Sequence, residues 1–163
     1  MPKEFSSSNK ELSNKYEITK GDIQQLEQIV SVNFEIFKGM YAQDPYSLAQ
    51  YQEKLKDAQP KIFIAKIGNQ IVGDSISFER DRTLYVWIMG VIKDYRNRGI
   101  ASELFENNEQ FARKNKLESV TVKVYDVSKE MLELLSKRSY KRISIEKSKT
   151  DSKYDAIHLE LKF

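Results

Sequence analysis

The sequence has no cysteine and a single histidine, and these two scarcities exclude several kinds of chemistry. Without cysteine, the 163-residue chain has no disulfide framework, no thiolate metal ligand and no cysteine nucleophile. One histidine, His158, excludes a histidine-rich metal site. Any chemistry must therefore use hydroxyl, carboxylate or basic side chains, backbone dipoles or water, and we expect no metal cofactor.

Long apolar runs are also missing, and the charges nearly balance. No apolar run reaches membrane-spanning length, and the N-terminus lacks the apolar stretch of a signal peptide. The formal net charge of +3 does not indicate a nucleic-acid binder. We therefore expect a cytoplasmic protein with neither a membrane nor a nucleic-acid partner. The polar residues 1–14 predict a disordered tail, and residues 15–163 have the length of one domain.

One junction between a predicted strand and a predicted helix stands out. The β-prone run 83–92 leads into it, and the helical pattern 102–116 leads out. Arg96, Arg98 and Gly99 lie between them. The first N–H groups of a helix have no intrahelical partner and carry partial positive charge, and glycine lets the backbone approach a ligand closely. The junction is therefore suited to bind a pyrophosphate.

Hydrophobic periodicity and turn residues predict the element order β-α-α-β-β-β-α-β-α-β-β. A helix cap at Thr19 or Asp22 and a hairpin turn at Gly68-Asn69 support this order. The predicted strands are 15–19, 61–67, 70–78, 83–92, 118–125, 141–147 and 154–163, and the predicted helices are 23–38, 47–57, 102–116 and 129–137.

Residues 96–101, Arg-Asn-Arg-Gly-Ile-Ala, resemble the acetyl-CoA signature of the GNAT superfamily of N-acetyltransferases. That signature reads Arg/Gln-x-x-Gly-x-Gly/Ala, and Val91 stands where the family usually places a valine ahead of it. The predicted order of elements is also that of the GNAT fold, from about residue 15 to the end. The resemblance implies an α+β fold with a central mixed, mostly antiparallel sheet and helices on both faces.

The resemblance also implies a function: transfer of an acetyl group from acetyl-CoA to a primary amine. Transfer would be direct, because no cysteine is present to carry an acyl intermediate. The acceptor is a small molecule or a peptide, and the protein a monomer or a homodimer; the sequence leaves both choices open. The alternative is a catalytically weak GNAT-like module that binds acyl-CoA or acts through partner contacts.

Three stretches carry the cofactor-binding residues that the resemblance implies. The pantetheine arm pairs with the backbone of the motif strand, the pyrophosphate binds the signature loop and its arginines, and a side chain ahead of the last helix adds a contact. In this sequence these residues are Met89, Gly90 and Val91 on the strand; Arg96, Asn97, Arg98, Gly99, Ile100, Ala101 and Ser102 in the loop; and Ser128.

The motif strand supplies the first catalytic candidate. Tyr85 stands where many GNAT enzymes have a glutamate that deprotonates the acceptor. Strand alternation predicts that Tyr85, Trp87 and Met89 share one face. Packing against the first two helices is the favoured role for Trp87 and Met89, and for Tyr85 both roles stay open. A tyrosine is a poor base at neutral pH unless its pKa is lowered.

The last helix departs from the family pattern. Leu135 occupies the position of the tyrosine that protonates the leaving CoA thiolate, so the usual acid is missing. Tyr125, at the end of the preceding strand, is the nearest substitute in sequence, although a packing role is favoured for it. Otherwise water serves, or the thiolate leaves unassisted.

The acceptor side carries two further candidates. Glu79, on the predicted turn 79–82, is placed to attract a cationic acceptor and is the second choice as a base, unless it is simply solvated. Three tyrosines, Tyr41, Tyr46 and Tyr51, lie between and on the first two helices, the region that shapes the acceptor pocket in the family. They predict an aromatic-lined pocket or, equally, packing residues.

Overall fold

The computed structural model describes residues 15–41, 43–148 and 154–163; the predicted tail 1–14 lies outside them. These residues form seven strands and four helices in the predicted order. The strands are β1 (Glu17–Lys20), β2 (Lys61–Ile67), β3 (Gln70–Arg80), β4 (Thr83–Val91), β5 (Ser119–Tyr125), β6 (Lys141–Glu146) and β7 (Ala156–Lys162), and the helices are α1 (Leu26–Phe37), α2 (Leu48–Leu55), α3 (Ile100–Lys114) and α4 (Lys129–Lys137).

The strands form one sheet in the order β1-β2-β3-β4-β5-β7-β6. All neighbouring pairs are antiparallel except β4 and β5, which are parallel. Parallel strands need a crossover, and α3 supplies it. This mixed, mostly antiparallel sheet confirms the predicted fold class.

Helices cover both faces of the sheet, and each face has its own core. On one face, which we call the α1 face, Ile29 of α1 and Tyr51 of α2 pack with Tyr85 of β4. On the other, the α3 face, Phe105 and Leu135 of α3 and α4 pack with the central strands. The sheet therefore separates two layers of helices, and a ligand bound between its strands would contact both layers.

The first two helices begin at side-chain caps. Asp22 accepts a hydrogen bond from Gln24 N at 2.8 Å, which starts a short 3₁₀ turn (Ile23–Gln25) ahead of α1. This confirms Asp22, one of the two predicted caps. Ser47 forms a capping box with Gln50 at the start of α2.

The turn between β3 and β4 is tighter than the sequence predicted. Strand pairing continues to Arg80 opposite Thr83, so the turn consists of Asp81 and Arg82. These two residues have φ of 51° and 66°, as a two-residue hairpin turn requires. The prediction that Glu79 lies on this turn is wrong, because Glu79 belongs to β3.

A β-bulge interrupts the alternation of β4. Val86 lies opposite Ser77 and Ile88 opposite Ile76, so Trp87 is an extra residue without a partner on β3. The bulge reverses the side-chain alternation beyond it. Tyr85 and Trp87 pack on the α1 face, but Met89 packs on the α3 face. The prediction that Met89 shares a face with Tyr85 is therefore wrong.

Candidate active site

The two central strands separate halfway along their length. β4 and β5 pair only from Thr83–Val86 to Ser119–Val122, although β4 continues to Val91 and β5 to Tyr125. Beyond this pairing, in the part of the chain that the structure describes, the β5-facing edge of β4 has no strand partner. We call this opening the β4–β5 gap. Unpaired backbone groups along a strand edge can bind an extended ligand.

The start of α3 lies just beyond the end of β4. Gly99 is the N-cap in the left-handed conformation, with φ of 84°, and no side chain caps the helix. The first intrahelical bond runs from Glu103 N to Gly99 O at 3.0 Å. The N–H groups of Ile100, Ala101 and Ser102 have no hydrogen-bond partner within the described ranges. We call Gly99–Ser102 the anion cradle, because such N–H groups and the helix dipole favour an anion.

The two arginines of the loop have different surroundings. Arg96 Nε donates to the carbonyl of Val91 at 3.1 Å and so ties the loop to the end of β4. Arg98 is exposed, with its guanidinium 5.2 Å from the ring centroid of Tyr95. Asn97 between them has φ of 64°, which turns the chain back toward the helix. Arg98 is therefore available to a phosphate from solvent, whereas Arg96 also holds the loop.

A partly buried polar cluster supports the anion cradle from the α3 face. Arg138 Nη1 donates to Ser102 Oγ at 2.8 Å, and its other nitrogens donate to Glu109 at 3.0 and 2.7 Å. Tyr140 donates to the same carboxylate at 2.9 Å. The hydrogen bond to Glu109 raises the pKa of Arg138, and burial raises the pKa of Tyr140. No sequence motif indicated this cluster, because its members come from separate elements.

On the α1 face, the helix approaches β4 closely at Gly90. A Cβ on Gly90 would lie 2.8 Å from Ile36 Cγ2 and 3.1 Å from Phe37 Cζ. A larger residue would push α1 away from the gap. Gly90 thus belongs to the site through its lack of a side chain as well as through its backbone.

Aromatic side chains line the α1 face beside the bulge. Trp87 stacks on Tyr46 at 5.7 Å and meets Tyr51 edge-on at 5.1 Å. Lys54 lies 5.8 Å from the Trp87 centroid, and the guanidinium of Arg80 lies 4.0 Å from the Tyr85 ring. Faces of this kind attract cations. Tyr51 is buried in the core, as the predicted packing role requires, and Tyr46 is exposed; an aromatic-lined acceptor pocket stays a prediction.

Tyr85 keeps its proton at neutral pH. Burial raises its pKa, and the nearby Arg80 opposes this only in part. The hydroxyl is therefore a hydrogen-bond donor and not a base. The lowered pKa that a catalytic base at this position needs is absent.

A buried carboxyl lies behind the aromatic residues. Asp74 is opposite Gly90 in the sheet and is fully buried. Asn33 Nδ2 donates to Asp74 Oδ1 and to the Tyr51 hydroxyl, both at 3.1 Å. Asp74 Oδ2 and Asn33 Oδ1 have no partner among the described residues. Burial raises the pKa of Asp74 to about 7. A lone aspartate in the apolar run of β3 was the only sequence signal.

The remaining predicted residues divide between the two sides of the gap and the core. Tyr125 and Ser128 lie at the end of β5 and the start of α4, across the gap from Met89–Val91. Glu79 is exposed and pairs with Leu84, which faces α3, so its side chain is on the face opposite Tyr85. Leu135 is fully buried in the α3-face core.

The sequence matches the model of the acetyltransferase (GNAT) family over residues 23–140, which is more than half of the chain. The chain belongs to the GNAT family. A comparison with curated protein sequences finds no match.

Solved structures with the same fold include several GNAT acetyltransferases. The ribosomal-protein-S18-alanine N-acetyltransferase from Escherichia coli aligns with a TM-score of 0.78 at 14% identity, over 91% of this chain and 94% of that one. An N-acetyltransferase from Staphylococcus aureus gives a TM-score of 0.74 at 18% identity, over 91% and 98%. A Bacillus subtilis acetyltransferase in complex with CoA gives 0.71 at 15% identity, over 91% and 99%. At these identities the likeness establishes the fold.

The described residues contain neither a membrane-spanning helix nor a cluster of metal ligands. No helix there is long and apolar enough to cross a membrane. No group of three or more histidine or acidic side chains lies together in a way that could hold a metal ion.

Proposed function

We propose that this protein is an acetyl-CoA-dependent N-acetyltransferase that transfers the acetyl group directly to a primary amine of a small molecule or a peptide. The observation that carries the proposal is the β4–β5 gap, which ends at the anion cradle. An acyl-CoA has a matching shape: its extended pantetheine arm would lie in the gap, and its pyrophosphate would lie on the cradle. Membership of the GNAT family supports the acyl-transfer chemistry.

Each end of such a cofactor has candidate ligands. The N–H groups of the anion cradle and the exposed Arg98 would hold the pyrophosphate. The unpaired edge of β4 at Met89–Val91 would bind the pantetheine arm. A backbone N–H there would stabilise the oxyanion formed on attack, and losing one such donor typically costs about a hundred- to thousandfold in rate.

The acceptor amine would enter on the α1 face. The aromatic rings of Tyr46, Trp87 and Tyr85 favour a cationic group there. The amine attacks in its neutral form, because the ammonium ion has no free electron pair. Tyr85 keeps its own proton, so the amine's proton would leave through water to the solvent. The absence of cysteine makes the transfer direct.

The second candidate is an acyl-CoA-binding module with little or no catalytic activity. Leu135 favours it, because a fully buried leucine stands where the family places its proton-donating tyrosine. Both candidates bind CoA, so binding does not separate them. For either, we keep the proposal of a cytoplasmic monomer or homodimer without a nucleic-acid partner.

Release of CoA from acetyl-CoA, measured across a panel of small amines, polyamines and peptides, tests the proposal. The enzyme releases CoA with at least one acceptor well above the rate of hydrolysis, and mass spectrometry finds the acetylated amine. Binding of acetyl-CoA with no product from any amine class would favour the binding module.

A further inference from the structure

The segment that follows α1 crosses the open end of the β4–β5 gap. At the last residue of α1, just before this segment, the Phe37 ring lies 3.1 Å from the position of a Cβ on Gly90 of β4. Further along, the ring of Tyr41 packs on that of Tyr125 at the end of β5, with the centroids 5.0 Å apart. This short segment therefore joins the two strands on the α1 face, in the region where they are not paired to each other.

The Tyr41 hydroxyl has a defined position at this crossing. Its oxygen lies 2.9 Å from Ser128 Oγ at the start of α4, and the pair is partly buried. The ring also meets Tyr154 edge-on at 6.1 Å. Either oxygen can donate in this pair, and when Ser128 donates, the phenol keeps its own proton for one further acceptor.

Acetyl transfer from a thioester is faster with a hydrogen-bond donor where the sulfur leaves. Breaking the C–S bond leaves the electron pair on sulfur, and a donor that stabilises this charge lowers the barrier. Leu135 has no such group and lies in the core. Tyr41 comes from a different element, and its hydroxyl reaches the same end of the gap, beside Ser128 and Tyr125.

We infer that the Tyr41 hydroxyl donates the proton to the departing CoA sulfur, with Ser128 as the positioning residue that orients it. As the amine nitrogen bonds to the carbonyl carbon, the C–S bond breaks and sulfur takes the Tyr41 proton. The proton lost by the nitrogen goes to solvent, and Tyr41 regains one from solvent. The inference rests on the proposed function, because it requires a thioester in the gap.

The thiol pKa of bound CoA tests the inference without any turnover. The ultraviolet absorbance of the thiolate is followed against pH for the CoA complex, and the same titration with desulfo-CoA removes the contribution of the protein's own tyrosines. A donor to the thiolate favours the charged form, so the thiol pKa of bound CoA falls below that of free CoA measured in the same buffer. Tyr41→Phe, which keeps the ring contacts, raises it by roughly one unit.

Turnover gives the second readout. Tyr41→Phe lowers kcat roughly a hundredfold, while the CoA Kd and the acceptor KM stay within about twofold of wild type. Ser128→Ala lowers kcat less, because Tyr41 keeps its proton and loses only its orientation. Tyr154→Phe is the matched control: it removes a hydroxyl from the neighbouring ring and leaves kcat and the thiol pKa unchanged.

Three outcomes would overturn the inference, and they differ from failure of the proposed function. If CoA binds and Tyr41→Phe changes neither the thiol pKa nor kcat, Tyr41 is not the donor. If Tyr125→Phe produces these changes instead, the donor is Tyr125. If Tyr41→Phe and Tyr154→Phe lower kcat equally, the role is structural. Failure of the wild-type protein to bind CoA would overturn the proposed function itself and this inference with it.

Discussion

The two faces of the sheet bury polar groups in different ways. On the α3 face, the Glu109 carboxylate accepts two hydrogen bonds from Arg138 and one from Tyr140, so its charge is paired and its oxygens are satisfied. On the α1 face, Asp74 receives a hydrogen bond from Asn33, and within the described parts of the chain it has no cation among its hydrogen-bond partners. One buried carboxyl is thus fully paired, and the other is not.

The difference indicates two solutions to the cost of burying a carboxyl. A buried charge is tolerated when a cation and hydrogen bonds compensate it, as at Glu109. A carboxyl without that compensation takes up a proton instead, which agrees with the raised pKa of Asp74. Protonation would also turn Asp74 Oδ2, which lacks a partner among the described residues, into a neutral group that costs less to bury than a charge. The buried carboxyl of the α3 face is therefore stabilised by an ion pair, and that of the α1 face by taking up a proton.

The largest effect on stability is expected at Arg138. Arg138→Met leaves the buried Glu109 without its cation and lowers the free energy of unfolding by roughly 3 kcal/mol, as measured by urea denaturation. Arg82→Met is the matched control, because its pair with Glu118 is exposed and worth less than about 1 kcal/mol. Equal losses of stability in the two variants would show that the Arg138–Glu109 pair stabilises the fold no more than an exposed ion pair does.

The second prediction concerns the pH dependence of unfolding. Asp74 has a pKa of about 7 in the fold, against an ordinary value of 3.8. The folded state then holds a proton that the unfolded state has lost. As pH rises from about 4 to 7, wild-type stability falls by up to roughly 1.4 kcal/mol per unit, and it levels off above the folded pKa. Asp74→Asn, which mimics the protonated form, removes this slope in urea unfolding.

Asp155→Asn is the contrasting control for that slope. Hydrogen bonds from the Ser148 backbone and from Lys147 lower the pKa of Asp155. Its contribution is therefore present above its unfolded pKa and is lost as pH falls through the folded pKa, which is the opposite direction. If Asp74→Asn destabilises the protein at every pH and keeps the wild-type slope, the α1-face carboxyl is ionised and the comparison fails.

A smaller effect is expected where the α3 face is closely packed. Leu135→Tyr does not restore a proton donor, because Leu135 is fully buried, and the larger ring lowers the free energy of unfolding by roughly 1–3 kcal/mol. Leu135→Met conserves volume and costs less than about 1.5 kcal/mol. A tyrosine variant that is as stable as wild type and more active would show that position 135 opens toward the gap.

The smallest effect is expected at Tyr85. Tyr85→Phe lowers kcat/KM less than about tenfold, because it removes a hydrogen-bond donor and not a base. In both proteins kcat/KM rises with pH through neutrality and levels off only at alkaline pH, as the neutral amine accumulates. A bell-shaped profile with an inflection at about pH 6 to 7 would instead report a catalytic base on the enzyme.

The features best predicted from the sequence are those that residues close together in the chain determine. The anion cradle was predictable because its glycine, its arginines and the helix start are contiguous. Strand β2 and helix α4 have the predicted bounds, 61–67 and 129–137, because turn residues and periodicity mark them locally.

The features that could not be predicted from the sequence depend on pairing between segments that are distant in the chain. The bulge at Trp87 is set by the register of β4 on β3, so the alternation of β4 alone gave the wrong face for Met89. The contact of Asp74 with Asn33 likewise joins residues far apart in the chain. The bulge carries no local signal, and the lone aspartate in β3 does not indicate its partner Asn33.

Binding of CoA to two matched glycine variants tests the central claim most directly. Gly99→Glu places bulk and negative charge in the anion cradle, and Gly68→Glu makes the same change in the β2–β3 hairpin turn, which also has a positive φ and open space around it. By calorimetric titration, wild type and Gly68→Glu bind CoA alike, and Gly99→Glu binds at least roughly a hundredfold more weakly, a loss of about 2.7 kcal/mol. Equal affinity in all three proteins would contradict the account, because the pyrophosphate would then bind somewhere other than the start of α3.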